Sequence, residues 1–187
     1  MLKVENCALV EAIFELSFKE SSSVEDTTQL KEVAIASMPK LKKIWSGDAQ
    51  EILSFQNLIK IWLGGCESLE HLLPFSVATR CSHLEELCIE GCENMKEIVA
   101  EKEFGVNVAP IFEFNQLRKL YLIDLGKLEG FYAKKHTLVC PSLKELGVYG
   151  CAKLNSYRTL STRSSNFPDD NHQPSFIAEE EESFGRT

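Results

Sequence analysis

A solenoid of short parallel strands is the fold class this chain predicts, on three observations. First, a six-position apolar frame recurs along residues 1–157. Its clearest copy is Leu84-Glu-Glu-Leu87-Cys-Ile89-Glu-Gly-Cys92-Glu-Asn-Met95-Lys-Glu-Ile98. Second, the copies start at irregular intervals. The second frame residue is Leu2, Val33, Ile61, Leu87, Leu120 and Leu146 in turn, so 26 to 33 residues separate them. Third, six of the seven cysteines fall at equivalent places in the frame. A constant frame with variable length between copies means that stacked strands set the frame while insertions go into the segments that return between them. The first nine positions follow L-x-x-L-x-L-x-x-N/C, the core of a leucine-rich repeat. The expectation is an α/β-type leucine-rich repeat solenoid of about six repeats. Its concave face is a curved open parallel sheet, and short helical or irregular returns cover the convex face.

Each repeat is read from its own apolar residues. The first is truncated and reads Leu2, Val4, Cys7, Val10 and Ile13. The second reads Leu30, Val33, Ile35, Met38, Leu41 and Ile44. The third reads Leu58, Ile61, Leu63, Cys66, Leu69 and Leu72, and the fourth is the copy quoted above. The fifth reads Leu117, Leu120, Leu122, Leu125, Leu128 and Phe131. The sixth reads Leu143, Leu146, Val148, Cys151, Leu154 and Tyr157. Phe55, Cys81, Phe114 and Cys140 precede four of the frames by three residues and are expected to anchor the returns. Cys7, Cys66, Cys92 and Cys151 share one inward slot, where a thiol donates to backbone carbonyls of the turn. Only Cys88 falls outside both slots.

Between repeats, residues 18–29 read as an exposed polar loop. The insertion between Ile98 and Phe114, with Gly105 and Pro110, reads as a loop on the rim or back. Residues 158–187 are rich in Ser, Asp, Asn, Pro and Glu. They lack the apolar area to offset their ordering entropy and are expected to be a disordered acidic tail.

Composition narrows the function. Net charge is −8, which argues against nucleic acid or an anionic membrane as partner. With 44% hydrophobic residues and a mean hydropathy of −0.13, a globular protein is expected, and no apolar run is long enough to span a bilayer. No N-x-S/T sequon occurs. Cysteines in core slots point to a reducing, intracellular compartment.

The phosphate-binding pattern G-x-x-x-x-G-K-[ST] and C-x-x-C are both missing. Cys88 and Cys92 point to opposite faces and cannot share a metal. His71, His83, His136 and His172 read as surface histidines, none placed to serve a nucleophile. Catalysis, a metal and a cofactor are therefore not expected.

The outward strand positions carry the functional expectation, because side chains alternate across a strand. Lys60, Trp62, Glu86, Cys88, Glu90, Lys119, Tyr121, Ile123, Glu145 and Tyr149 are the candidate protein-binding residues of the concave face. Glu32, Lys60, Glu86, Lys119 and Glu145 alternate in sign from repeat to repeat. The row reads first as a ladder that holds register, and second as a ligand-contacting row. The large side chains Trp62, Tyr121, Ile123 and Tyr149 read either as a partner site or as residues that cover one another.

The segments Leu58–Leu72, Leu84–Ile98 and Phe114–Leu122 resemble the C-terminal repeats of plant coiled-coil nucleotide-binding leucine-rich-repeat disease resistance proteins. So does the order Gly-Cys-x-x-Met, Lys96-Glu-Ile-Val99, acidic insertion, Phe114. The resemblance covers about residues 1–157 and implies a cytoplasmic immune-receptor module that recognises protein. The implied partner is a pathogen effector, a guarded host protein, or the receptor's own nucleotide-binding domain. The coiled-coil and nucleotide-binding domains are missing from the chain, and the expectation is a fragment of such a receptor. The alternative is a stand-alone adaptor such as a ubiquitin-ligase substrate receptor.

Overall fold

The computed structural model describes residues 1–15, 26–27, 30–46, 53–54, 57–101, 109–154, 160–161 and 175–177. Each repeat forms one coil. The first contributes β1 (Leu2–Glu5), β2 (Ala12–Glu15) and β3 (Asp26–Thr27). The second contributes β4 (Glu32–Ala36), β5 (Lys43–Ser46) and β6 (Leu53–Ser54). The third contributes β7 (Lys60–Gly64), β8 (His71–Leu73) and the single helical turn α1 (Phe75–Ala78). The fourth contributes β9 (Glu86–Glu90), β10 (Glu97–Val99) and β11 (Ile111–Glu113). The fifth contributes β12 (Lys119–Ile123) and β13 (Thr137–Val139), and the sixth β14 (Glu145–Tyr149) and β15 (Leu160–Ser161). β16 (Ser175–Ile177) follows.

One parallel sheet runs the length of the molecule in the order β1-β4-β7-β9-β12-β14-β16. Its register is the sequence frame. Val33 lies opposite Ile61, Ile61 opposite Leu87, Leu87 opposite Leu120, and Leu120 opposite Leu146. A slip of one residue would turn every frame leucine to solvent, so burial of one face holds the register.

Burial follows position in the stack. The frame residues of the third, fourth and fifth repeats are all buried. So are those of the second, Leu30 apart. In the first and sixth repeats most are only half-buried: the first has a neighbouring coil on one side, and beyond the sixth only the short strand β16 pairs among the described residues.

Where β1, β4, β7, β9, β12 and β14 end, one residue turns with positive φ: Asn6, Ser37, Gly65, Gly91, Asp124 and Gly150, all between 51° and 61°. The turn does not interrupt the ladder. Gly65 N–H still donates to Glu90 O at 3.0 Å, and Gly91 N–H to Ile123 O at 3.0 Å. A tight turn follows at once. Leu69 N–H bonds Cys66 O, Met95 N–H bonds Cys92 O, and Leu128 N–H bonds Leu125 O. This turn explains the Cys-x-x-Leu spacing. The same turn recurs before the strands, where Leu84, Leu117 and Leu143 bond back to Cys81, Phe114 and Cys140. Those three anchors are buried as expected, while Phe55 lies outside the described residues.

The cysteine slot behaves as read. Cys66 Sγ donates to Gly64 O at 3.6 Å, Cys92 Sγ to Glu90 O at 3.5 Å, and Cys151 Sγ to Tyr149 O at 3.3 Å. All seven thiols are free.

The returns hold little helix. Most of their ordered length is extended, in short ladders β2-β5, β8-β10, β3-β6 and β11-β13-β15. None of these ladders joins the second coil to the third, so only the concave sheet pairs strands across that junction among the described residues. Part of the insertion read as a loop is strand β11, with Phe112 fully buried. Phe112 sits among Phe75, Phe131, Tyr132 and His136, with ring centroids 5.4 to 6.0 Å away. His136 is thus no ordinary surface histidine. Its ring meets Tyr132 edge to face at 5.8 Å, its Nδ1 lies 2.8 Å from Lys134 O, and its Nε2 is buried with no hydrogen-bond partner among the described residues. Sequence reading missed this because nothing in the return has a repeat period. Most of residues 18–29 and of 158–187 lies outside the described residues. Of the latter segment, Leu160–Ser161 pairs with β13 and Ser175–Ile177 with β14.

Candidate recognition face

The concave strands place their outward residues in three rows. Glu32, Lys60, Glu86, Lys119 and Glu145 form the first. Lys3, Ala34, Trp62, Cys88, Tyr121 and Gly147 form the second. Glu5, Ala36, Gly64, Glu90, Ile123 and Tyr149 form the third. All ten candidate residues therefore lie on one surface.

The charged row is a set of pairs rather than a continuous ladder. Lys60 Nζ lies 3.1 Å from Glu86 and Lys119 Nζ 3.3 Å from Glu145. Among the described residues no ion pair joins Glu86 to Lys119 or Glu32 to Lys60. Each of the two lysines turns to its C-terminal neighbour. Lys3 pairs with Glu5 on its own strand at 3.0 Å. Glu32 and Glu90 keep no cationic partner among the described residues.

The aromatic residues divide into two groups. Tyr121 and Tyr149 are half-buried and lean over Gly147. A Cβ at Gly147 would lie 2.5 Å from Tyr121 Cδ1 and 2.9 Å from Tyr149 Cε2. This glycine is what lets the tyrosine rings lie down on β14. The Tyr121 hydroxyl donates to Glu145 Oε2 at 2.8 Å. That bond raises the phenol above its ordinary pKa, and the same bond, with Lys119, holds the Glu145 carboxyl below the usual range. Lys119, Tyr121 and Glu145 are thus tied together.

Trp62 stands apart and is 38% exposed, one of four large hydrophobic side chains so exposed among the described residues. Its indole lies back over Gly64, whose Cβ would sit 3.1 Å from the ring. Cys88 lies between Trp62 and Tyr121, half-buried, its thiol pushed up by burial and by the Glu90 charge. Ile123 is half-buried and Glu90 exposed. Sequence reading gave Gly64 and Gly147 no role. The signal was a glycine two residues after Trp62 on the same strand, and one directly opposite Tyr121.

The face can present a rigid aromatic and charged surface. Among the described residues no three His, Cys, Asp or Glu side chains converge to hold a metal ion. No helix is long and apolar enough to cross a membrane.

A search among curated proteins and another among solved structures found no match. The family model for plant disease resistance protein RPS2-like, leucine-rich repeats, matches residues 1–93 and residues 80–165. Those segments contain every strand of the concave sheet but the last. With most of its length matched, the chain belongs to the leucine-rich repeat family of plant RPS2-like disease resistance proteins.

Proposed function

We propose that this chain is a non-catalytic protein-recognition module of a cytoplasmic plant immune receptor, and that it binds through its concave face. Family membership supports the setting. The observation that carries the choice of face is Trp62, 38% exposed on an in-register sheet whose neighbouring tyrosines are already held in place. Exposed aromatic residues on a pre-ordered surface give large contact area at low entropic cost, which is what interface hot spots require. The partner is a pathogen effector, a guarded host protein, or the nucleotide-binding domain of the same receptor.

Site-directed photo-crosslinking tests this. A crosslinker at Lys60 or Ile123 should capture a defined protein from elicited plant tissue, and one on the back at Glu113 or Lys135 should not. Equal capture of the same protein from the back positions would overturn the choice of face.

A further inference from the structure

The concave face carries a second, more local pattern around Trp62. Its indole lies over Gly64, and Gly64 stands directly opposite Glu90 on β9. Neighbouring strands are about 4.8 Å apart, so the exposed ring and the Glu90 side chain rise from the same patch. On the other flank, β4 places Ala34 opposite Trp62 and Ala36 opposite Gly64. These small side chains leave the flank of the indole uncovered. Glu32 starts the same strand but lies in the first row, two rows from Gly64 and Glu90. Lys60, the nearest cation in the rows, is engaged by Glu86 at 3.1 Å. Lys3 is engaged by Glu5 at 3.0 Å. The patch therefore combines one exposed aromatic plate, a low alanine floor, and the Glu90 carboxylate, which has no cation of its own among the described residues.

Given the concave recognition face proposed above, we infer that Trp62 and Glu90 form a seat for a cationic side chain, an arginine before a lysine, of the partner protein. A planar guanidinium stacks on an indole while its N–H groups reach carboxylates at the edge. An ammonium satisfies the charge but not the stacking. The chain's net charge of −8 favours approach by a basic segment. The selected partner thus displays an exposed arginine within an extended or loop segment that can enter a curved sheet.

The test uses the full chain, labelled with nitrogen-15, and the peptide acetyl-Gly-Ser-Arg-Ser-Gly-amide. Two control peptides replace arginine by citrulline, which keeps the shape without the charge, or by glutamate. The arginine peptide should shift the Trp62 indole N–H and the Glu90 amide saturably, and added salt should weaken it. Citrulline should bind less well and glutamate not at all. Glu32→Gln, two rows away, should leave binding unchanged, while Glu90→Gln, a surface change that keeps shape, should weaken it about two- to five-fold. Trp62→Ala should do so by about the same factor. Equal binding of the arginine and citrulline peptides, or unchanged binding by the E90Q variant, would overturn the seat. If the peptide result is negative but concave crosslinking from Ile123 persists, the seat fails and the recognition face stands. If concave crosslinking is lost in the unmodified chain as well, the face itself was wrongly chosen.

Discussion

Gly147→Ala is the sharpest test of how the concave face is built. The added Cβ would lie 2.5 Å from Tyr121 Cδ1, 2.8 Å from Tyr121 Cε1 and 2.9 Å from Tyr149 Cε2. No real Cβ tolerates such approaches, so the tyrosine rings must lift from β14. Forcing extra volume into a packed place costs about 1–3 kcal/mol. Lifting Tyr121 also breaks its 2.8 Å bond to Glu145. That bond adds a pH signature. The phenol is raised in the folded protein, so its stabilisation is full below the ordinary tyrosine pKa and fades as pH rises through the raised value. The Glu145 carboxyl is lowered, so its stabilisation is full above the ordinary glutamate pKa and fades as pH falls through the lowered value. The stability gap between wild type and G147A should be widest between those two ordinary values and narrow on either side. Urea unfolding across pH measures the gap, and tyrosinate absorbance reads the phenol. In the variant one tyrosine should titrate nearer its ordinary value. Gly126→Ala is the control, since its Cβ would meet nothing within 4 Å, and it should change stability by less than about 0.5 kcal/mol. An unchanged midpoint and phenol titration in G147A would refute the stacking argument.

Gly91 turns at φ 60°, and its Cβ would make only an ordinary 3.6 Å contact, so Gly91→Ala isolates backbone strain. It should cost about 1–2 kcal/mol by urea unfolding, while Ser37→Gly at the equivalent turn should be neutral or mildly stabilising. Phe112→Ala empties the centre of the aromatic cluster on the back and should cost about 3–5 kcal/mol in the same assay. Burial pushes Cys81 and Cys140 up to about 12, so a thiol reagent at neutral pH should modify Cys88 well before either, as mass spectrometry of the peptides would show. A Lys60/Glu86 double-mutant cycle should give a coupling of about 0.2–1 kcal/mol that falls with salt. A coupling that ignores salt would count against an ion pair.

Legibility in this sequence tracks dimensionality. The frame from Leu30 to Leu154 could be read because core position along one strand is a one-dimensional property with period two. Stacking identical frames then dictates which residues meet, as Ile61, Leu87 and Leu120 do. Which neighbour a lysine leans toward is a two-dimensional question. The alternating row told the signs but not that Lys60 would turn to Glu86 and leave Glu32 alone. The aromatic layout needed a cross-strand relation, Tyr121 directly opposite Gly147, visible only once the strands were aligned. The back of the molecule was least readable. β11 and β13 are three residues each, too short for a period to register, and His136 joins Phe112 through contacts that cross coils. Pro74 ahead of Phe75 was a local hint of the helical turn, since it leaves the strand and starts the helix with no side-chain cap.

The junction between the second and third coils has a mechanical consequence. Its backbone bonding is gathered on the front, where β4 and β7 pair over five residues and Ser37 N–H adds a bond to Gly64 O at 2.9 Å. On the back, no ladder joins β5 to β8 or β6 to α1 among the described residues. A plate fastened along one edge bends about that edge. Flexing here stretches side-chain contacts on the back while the front hydrogen bonds act as the hinge leaf. Ala34 and Ala36 lie on one leaf, Trp62 and Gly64 on the other. A change in curvature at this joint would open or pinch the space beside the indole, coupling the bow of the whole arc to the width of a single side-chain slot.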